Sequence, residues 1–282
     1  MTDSALDRLA AMLADRPWCV LTGAGMSTDS GIPDYRGPDG TRRVTPVTYA
    51  EFVRSPAVRA RYWARAYAGW HRFRGAEPNA AHRAVAWLER AGVASAVITQ
   101  NVDRLHQAAG SRAVVDLHGT LERTVCLECG ALADRDDVHA QIAARNPAFA
   151  GVAEDAARGR VRPDGDVDLP AAALDGFAAP ACPGCGADAL KPDVVFFGES
   201  VPKPRVERCF GLVDDARGLL VLGSSLAVFS GYRFVRHAAA RGLPVAIVTR
   251  GTTRGHGDAT LTLDAGLGHA VPALVARLGG PS

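Results

Sequence analysis

The feature that most restricts the fold is a set of short, almost wholly apolar runs, each closed by glycine or a polar residue. They are WCVLT (18–22), SAVIT (95–99), AVVDL (113–117), DVVFF (193–197), LLVLG (219–223) and VAIVT (245–249). A strand with one wet face alternates apolar and polar residues. A run without alternation needs apolar neighbours on both faces, as in a parallel sheet covered by helices on each side. Helical stretches such as 80–91 and 229–241 separate the runs. SALDRLAAMLADR opens the chain with Leu6, Leu9 and Leu13 at helical spacing, Ser4 as a candidate cap and Pro17 as a stop. The expectation is an α/β fold, a Rossmann-like parallel sheet with helices on both faces.

Two segments interrupt the pattern: 42–78, rich in arginine and aromatics, and 120–190, where 134–176 reads as an acidic loop. The expected organisation is a discontinuous Rossmann-like domain (1–41, 79–119 and 191–282) with a smaller inserted domain. A helical module (42–78) and a zinc-ribbon-like module (120–190) make up the latter, and 282 residues accommodate both. Composition excludes disorder, with 48% apolar and 22% charged residues. No run nears the roughly 18 apolar residues of a membrane span. Asp3 and Asp7 stand where a leader would be basic, so a cytoplasmic chain is expected. A net charge of +2 names no partner; the ten arginines within 42–90 read as a solvated face, and nucleic acid is not expected as a ligand. PDGDVD (163–168) faintly resembles a calcium loop but lacks the glycine at loop position six and the glutamate at position twelve, so calcium is not expected.

Six cysteines in a reducing compartment argue against disulfides. Cys126-x2-Cys129 and Cys182-x2-Cys185 repeat the bite with which two thiolates of one turn reach a tetrahedral zinc, and four sulfurs close the ion to substrate, so the expected metal is structural. Cys19 and Cys209 are expected to be packing thiols.

The first strand runs into GAGMSTDSG (23–31), where Gly23 and Gly25 permit a tight turn that backbone amides can offer to a phosphate. Thr28 occupies the third glycine position of the dinucleotide fingerprint, and no acidic residue closes a second strand about 20 residues on. SGIPDYRG (30–37) adds a structured loop with a carboxylate and a guanidinium. Gln100, Asn101 and Asp103 follow the strand 95–99, at the carboxyl end where open α/β sheets contact ligands. His118-Gly119 follows the next strand; an imidazole suits proton abstraction near neutrality, and the glycine would leave space for a substrate. His106 is expected to orient its neighbours.

Taken together, GAGMSTDSGIPDYRG, TQNVDRLH, His118-Gly119, the two cysteine pairs, KPDVVFFGE (191–199), GSSL (223–226) and VAIVT resemble the sirtuin family in content and order. RYWARAYAGW, PDGDV and GSSLAVFSGYRF look most like its class II branch. The resemblance implies an NAD-consuming protein deacylase. In sirtuins the acyl-lysine oxygen attacks the nicotinamide ribose, nicotinamide leaves, and a histidine takes a ribose-hydroxyl proton so that the acyl group migrates. Nicotinamide, O-acyl-ADP-ribose and free lysine result.

By the same resemblance, His118 is the base, with Asn101 and Asp103 steering the reacting sugar. Gly23, Ala24, Gly25, Thr28, Asp34, Tyr35 and Arg36 would wrap the pyrophosphate and nicotinamide ribose. Gln100, Asn101, Val102 and Asp103 would line the nicotinamide pocket, while Gly223, Ser224 and Ser225 would meet phosphate and ribose. Thr249, Arg250, Gly251 and Leu267 would border the adenosine half. Val194, Val195, Phe196, Phe197, Gly198 and Glu199 would pair with the acylated peptide as an added strand. NAD is thus the expected co-substrate, zinc (one per chain) the expected metal, and acylated lysine side chains of proteins the expected partners.

The chain departs from common members at Met26, Asp29, Tyr35, Arg104 and Thr249; Arg104 is expected to meet solvent. Tyr62-x2-Arg65 has the spacing of dicarboxylic-acyl-specific sirtuins, but its offset from PNAAH (78–82) differs and the match is taken as accidental. The same site could instead transfer ADP-ribose to a protein or remove longer acyl groups as a lipoamidase does. An oxidoreductase is disfavoured by the imperfect fingerprint, and a serine hydrolase by the absence of G-x-S-x-G. A zinc-dependent binding module would leave the polar strand ends without a role.

Overall fold

A computed structural model describes residues 2–15, 17–37, 39–157, 162–170 and 174–281. The first half of the chain runs α1 (Thr2–Leu13), β1 (Trp18–Thr22), α2 (Tyr49–Arg54), α3 (Pro56–Arg74), α4 (Ala80–Arg90), β2 (Ala94–Thr99), α5 (Leu105–Ala108) and β3 (Val114–Asp116). It continues with β4 (Gly119–Cys126), β5 (Leu132–Asp134), α6 (Arg135–Arg145), α7 (Ala150–Ala157) and β6 (Leu190–Val194). The remainder is α8 (Lys203–Asp214), β7 (Leu219–Leu222), α9 (Phe229–Ala240), β8 (Val245–Thr249), β9 (Leu261–Asp264) and α10 (Leu267–Arg277). The contacts divide it into a larger unit (Met1–Arg43, Glu77–Leu117, Val201–Ser282) and a smaller one (Val44–Ala76, His118–Ser200). Among the described residues no helix is long and apolar enough to cross a membrane.

In the larger unit six parallel strands lie in the order β3-β2-β1-β7-β8-β9. The apolar runs lack alternation because each face has its own core. Val20, Leu220, Leu222, Ala246 and Val248 point into one cluster with Leu6, Leu9 and Leu13 of α1, Val85 and Leu88 of α4, and Leu274 of α10. Cys19, Leu21, Leu219, Val221, Val245 and Ile247 point into the other, with Cys209 and Val213 of α8 and Phe234 of α9. Ser4 lies inside α1 and so does not cap it, and the helix ends at Leu13, before Pro17. β9, not anticipated, is an edge strand whose Leu261 and Leu263 are buried while Thr262 and Asp264 are exposed. Strand order reverses between β1 and β7, the switch point at whose carboxyl ends doubly wound sheets bind ligands.

The smaller unit has a three-stranded antiparallel sheet, β5-β4-β6, with α2, α3, α6 and α7. DVVFF is therefore not a strand of the parallel sheet. LKPDV pairs with β4, and the following residues belong to the aromatic core of this unit, where Phe196 packs on Phe52 and Tyr62. Residues 118–119 and 191–200, expected with the larger domain, group here for that reason. The segment taken as an acidic loop carries α6 and α7; Asp134 caps α6 through the Asp136 N–H, and Asp136 and Asp137 suit its first turn. Parts of that segment, 158–161 and 171–173, lie outside the described residues. PDGDVD closes on α3: the Arg65 guanidinium reaches the Val167 carbonyl (2.9 Å) and the Asp166 carboxylate (2.9 Å).

Candidate functional site

The loop after β1 makes two tight turns, 24–26 and 28–30, with Gly31 at φ 83°. Gly23 and Gly25 answer to protein, whereas Gly31 faces open space. A Cβ on Gly23 would sit 2.7 Å from the Ser224 Cβ, and one on Gly25 would sit 2.9 Å from the Gly223 carbonyl oxygen. Gly223, at φ 64°, would in turn drive a Cβ to 2.7 Å from the Met26 nitrogen. The loops after β1 and β7 thus touch backbone to backbone at the switch point, and the Gly25 N–H donates to the Gly223 carbonyl at 2.9 Å. Asn79 caps α4 with its carbonyl oxygen, while its Nδ2 donates to the Met26 carbonyl (2.9 Å) and Ser30 Oγ (3.0 Å), pinning the loop.

The polar residues after β2 are tied to that loop. Ser27 donates to Asp103 Oδ2 at 2.6 Å and accepts from Asn101 Nδ2 at 2.9 Å; Asp103 Oδ1 accepts the Leu105 N–H at 3.0 Å. Burial raises the Asp103 pKa, opposed by the hydrogen bonds from Ser27 and Leu105. Gln100 spans the switch point, its Nε2 donating to the Thr22 carbonyl (3.1 Å) and to Ser224 Oγ (2.9 Å). Ser27, Asn79, Thr22 and Thr99 were not singled out in the sequence. Ser27 lies within GAGMSTDSG, so the motif held the signal, but its partner is 76 residues away.

Asp34 is paired with Arg43 (2.7 Å), Arg36 donates to the Gly40 carbonyl (3.0 Å), and the Tyr35 carbonyl accepts the Arg43 N–H, making 34–43 a small self-closed loop. Thr249 ends β8 nearly buried, Gly251 donates to Asp264, and Leu267 is in the core with Cδ1 against Gly223. The Ser225 carbonyl accepts the Arg254 N–H. Arg104 does not simply meet solvent: at φ 62° it pairs with Asp116 at 2.9 Å. A left-handed backbone is one that glycine adopts more readily than arginine.

In the smaller unit His118 is half-buried, and its carbonyl accepts the Val195 N–H at 2.8 Å. At Gly119, φ 81°, the side on which a side chain would stand is filled by the protein's own main chain. A Cβ there would fall on the Asp193 carbonyl oxygen and 3.0 Å from its carbon, because β4 pairs closely with β6 at this point, Gly119 opposite Val194. Of Val194–Glu199, Val194 pairs with Gly119 and the Phe197 carbonyl accepts from Tyr49. Phe196 is buried, and its N–H donates to Glu199 Oε2 at 2.8 Å. That same carboxylate holds the buried Lys191 at 3.1 Å, so Glu199 is committed to the protein. β6 remains the edge of its sheet, a geometry open to an added strand. Tyr62 lies in the aromatic core and Arg65 is paired with Asp166.

The four paired cysteines have their sulfurs within 4.8 Å of one another, with Cys126–Cys185 and Cys129–Cys182 at 3.7 Å. Sulfurs placed about 2.3 Å from a tetrahedral zinc lie about 3.8 Å apart, so the group can hold one zinc ion with no position left for substrate. Cys19 and Cys209 are buried, which pushes their thiols up to about 12 and about 11. Both are packing residues, inert as nucleophiles.

A unit with a parallel sheet and polar strand ends at its switch point, together with an antiparallel unit holding a four-thiol centre, defines the sirtuin class of fold. The model of the Sir2 family matches residues 23–230, and the chain belongs to that family. It is 52% identical over 261 residues to an NAD-dependent protein deacetylase 1 of Streptomyces coelicolor, covering 92% of this chain and 85% of that protein. It is 47% identical to the NAD-dependent protein deacylase Sirt4 of Drosophila melanogaster, covering 97% and 88%. A solved structure described as Sir2 with p53 peptide and NAD+ superposes with a TM-score of 0.76 at 31% identity, covering 96% of this chain and 98% of that one.

Proposed function

We propose that this chain is an NAD-dependent protein-lysine deacylase, with deacetylation its main reaction and His118 its general base. The observation that carries this reading is the Ser27–Asn101–Asp103 cluster at the switch point, where the loops after β1 and β7 are locked together. When bound, NAD supplies the ribose carbon from which nicotinamide departs. The turn Gly23–Ala24–Gly25, with Gly223, Ser224 and Ser225, would border the pyrophosphate and ribose; the N–H groups of Gly23, Gly25 and Gly223 are spent on the Leu222, Gly223 and Val248 carbonyls, and Arg36 would add a positive charge. Asn101 and Asp103 hold the reacting sugar's surroundings rigid, which favours a charged transition state over its solvated ground state. Thr249, Arg250, Gly251 and Leu267 border the adenosine.

His118 accepts the ribose-hydroxyl proton at a ring nitrogen, leaving that oxygen to take the acyl group. The acylated peptide adds to the open edge of Val194–Glu199, held mainly through main-chain bonds, which suits varied protein substrates. The zinc holds the two cysteine turns together and takes no part in turnover. Membership of the class II branch, and a tolerance for acyl groups longer than acetyl, are favoured by the likeness to the Drosophila deacylase. A cytoplasmic site of action completes the reading.

The test is incubation with NAD and a panel of acyl-lysine peptides, followed by mass analysis. Wild type yields nicotinamide and O-acyl-ADP-ribose, and His118→Ala yields no O-acyl-ADP-ribose while melting as wild type does. Nicotinamide release without O-acyl-ADP-ribose would replace this reading by ADP-ribosyl transfer.

A further inference from the structure

Behind the switch point, two histidines with no part in the proposed chemistry form an internal couple. His82 and His106 are 0% and 1% exposed, and their rings meet edge to face with centroids 4.9 Å apart. His82 Nδ1 accepts the Asn79 N–H at 3.4 Å, so in the neutral ring the hydrogen is on Nε2. On the other side His106 Nε2 lies 3.0 Å from Thr22 Oγ1, and Thr22 donates its hydroxyl to Thr99 Oγ1 at 2.9 Å. Thr22 has one hydrogen and has spent it, so its bond to His106 is accepted from Nε2–H, and Nδ1 of His106 is left as a lone pair.

The two ring atoms that find no hydrogen-bond partner, His82 Nε2 and His106 Nδ1, are therefore one donor and one acceptor on rings in contact. Thr99 Oγ1 in turn accepts the Asn101 N–H at 3.1 Å. The chain of contacts thus runs from Asn79, which pins the loop after β1, to the backbone of Asn101, whose side chain holds Ser27.

We propose that His106, backed by His82, is a positioning residue: through Thr22 and Thr99 it fixes the Asn101 backbone, and so aims the Ser27–Asn101–Asp103 cluster. The idea rests on the deacylase reading for its kinetic consequence, though not for its structural one. An imidazolium at His106 would put a second donor against the Nε2–H of His82 with no acceptor for it. Burial accordingly holds the His82 and His106 rings neutral, lowered to about 4 and about 3. A small misplacement of a group near a reacting centre costs a large rate factor.

The decisive variant is Thr99→Val, which keeps the shape of the side chain and removes the oxygen shared by Thr22 and Asn101. Thr99→Val and His106→Leu are each expected to lower kcat for acyl-peptide turnover roughly ten- to a hundredfold with peptide KM unchanged. The double variant should lose no more than either alone. His106→Gln, which keeps an N–H within reach of Thr22, should recover most of the loss. Independently of turnover, NMR should show faster hydrogen exchange at the Asn101 amide in Thr99→Val, and in His106→Leu if that variant folds. Undiminished kcat in Thr99→Val with unchanged exchange at Asn101 overturns the proposal, as do losses that multiply in the double variant. A wild-type protein without turnover would overturn the deacylase reading and leave the exchange measurement to judge the positioning claim.

Discussion

Replacing Gly119 by alanine separates two accounts of the glycine that follows His118: room for a substrate, or room for the protein's own main chain. The new methyl would fall on the Asp193 carbonyl oxygen and 3.0 Å from its carbon, on a residue held at φ 81°. A left-handed backbone costs an L-residue about 1–2 kcal/mol. No rotamer change relieves the overlap, because what the methyl meets is main chain, and overpacking of this kind costs roughly 1–3 kcal/mol more. Gly176, in the same unit, has φ 74° and nothing within 4 Å of its would-be Cβ. Gly176→Ala therefore loses only the conformational part, about 1–2 kcal/mol.

At roughly 2–4 °C per kcal/mol, Gly119→Ala melts roughly 4–20 °C below wild type and Gly176→Ala roughly 2–8 °C below. Circular dichroism melting of the three zinc-loaded proteins, side by side, reads the gap. If Gly119→Ala melted with Gly176→Ala and differed only in peptide KM, the space would belong to the substrate and the steric argument would be wrong.

Metal analysis should return one zinc per chain, and Cys185→Ser should lower that stoichiometry and the melting temperature together; full zinc retention would remove this thiol from the ligand set. Asp166 is buried beside Asp164: burial and the neighbouring carboxyl raise it to about 8, opposed by the Arg65 and Arg162 guanidinium groups. A pKa raised on folding means stability that is complete at low pH and declines as pH climbs toward about 8. The melting temperature of wild type should thus fall relative to Asp166→Asn between about pH 4 and pH 8, and a pH-independent difference would refute the raised Asp166 carboxyl.

The parallel sheet was legible because its strands are covered twice: WCVLT has no polar gap, since Val20 faces one core and Cys19 and Leu21 the other. β9 escaped notice for the opposite reason, being a short edge strand with two exposed positions in four. Acidity made 134–137 look like loop, yet those carboxylates are the cap and first turn of α6. The cysteine pairs declare their chemistry by spacing, whereas the glycines announce only an unusual backbone and not what occupies the space beside it. Gly23, Gly25 and Gly119 each face another stretch of main chain. Contacts such as Gln100 to Ser224, 124 residues apart, leave no local mark on a single sequence, so the polar residues were nameable and their partners were not.

β1 sits at the middle of the larger sheet, between β2 and β7. During translation its second neighbour emerges from the ribosome roughly 200 residues after β1 itself, a wait of roughly 10–40 s at 5–20 residues per second. For that interval the nascent polypeptide presents a bare, sticky ribbon, the kind of surface that trigger-type chaperones shield. The yield of this protein on synthesis should therefore respond more sharply to elongation speed and holdase supply than its finished stability suggests.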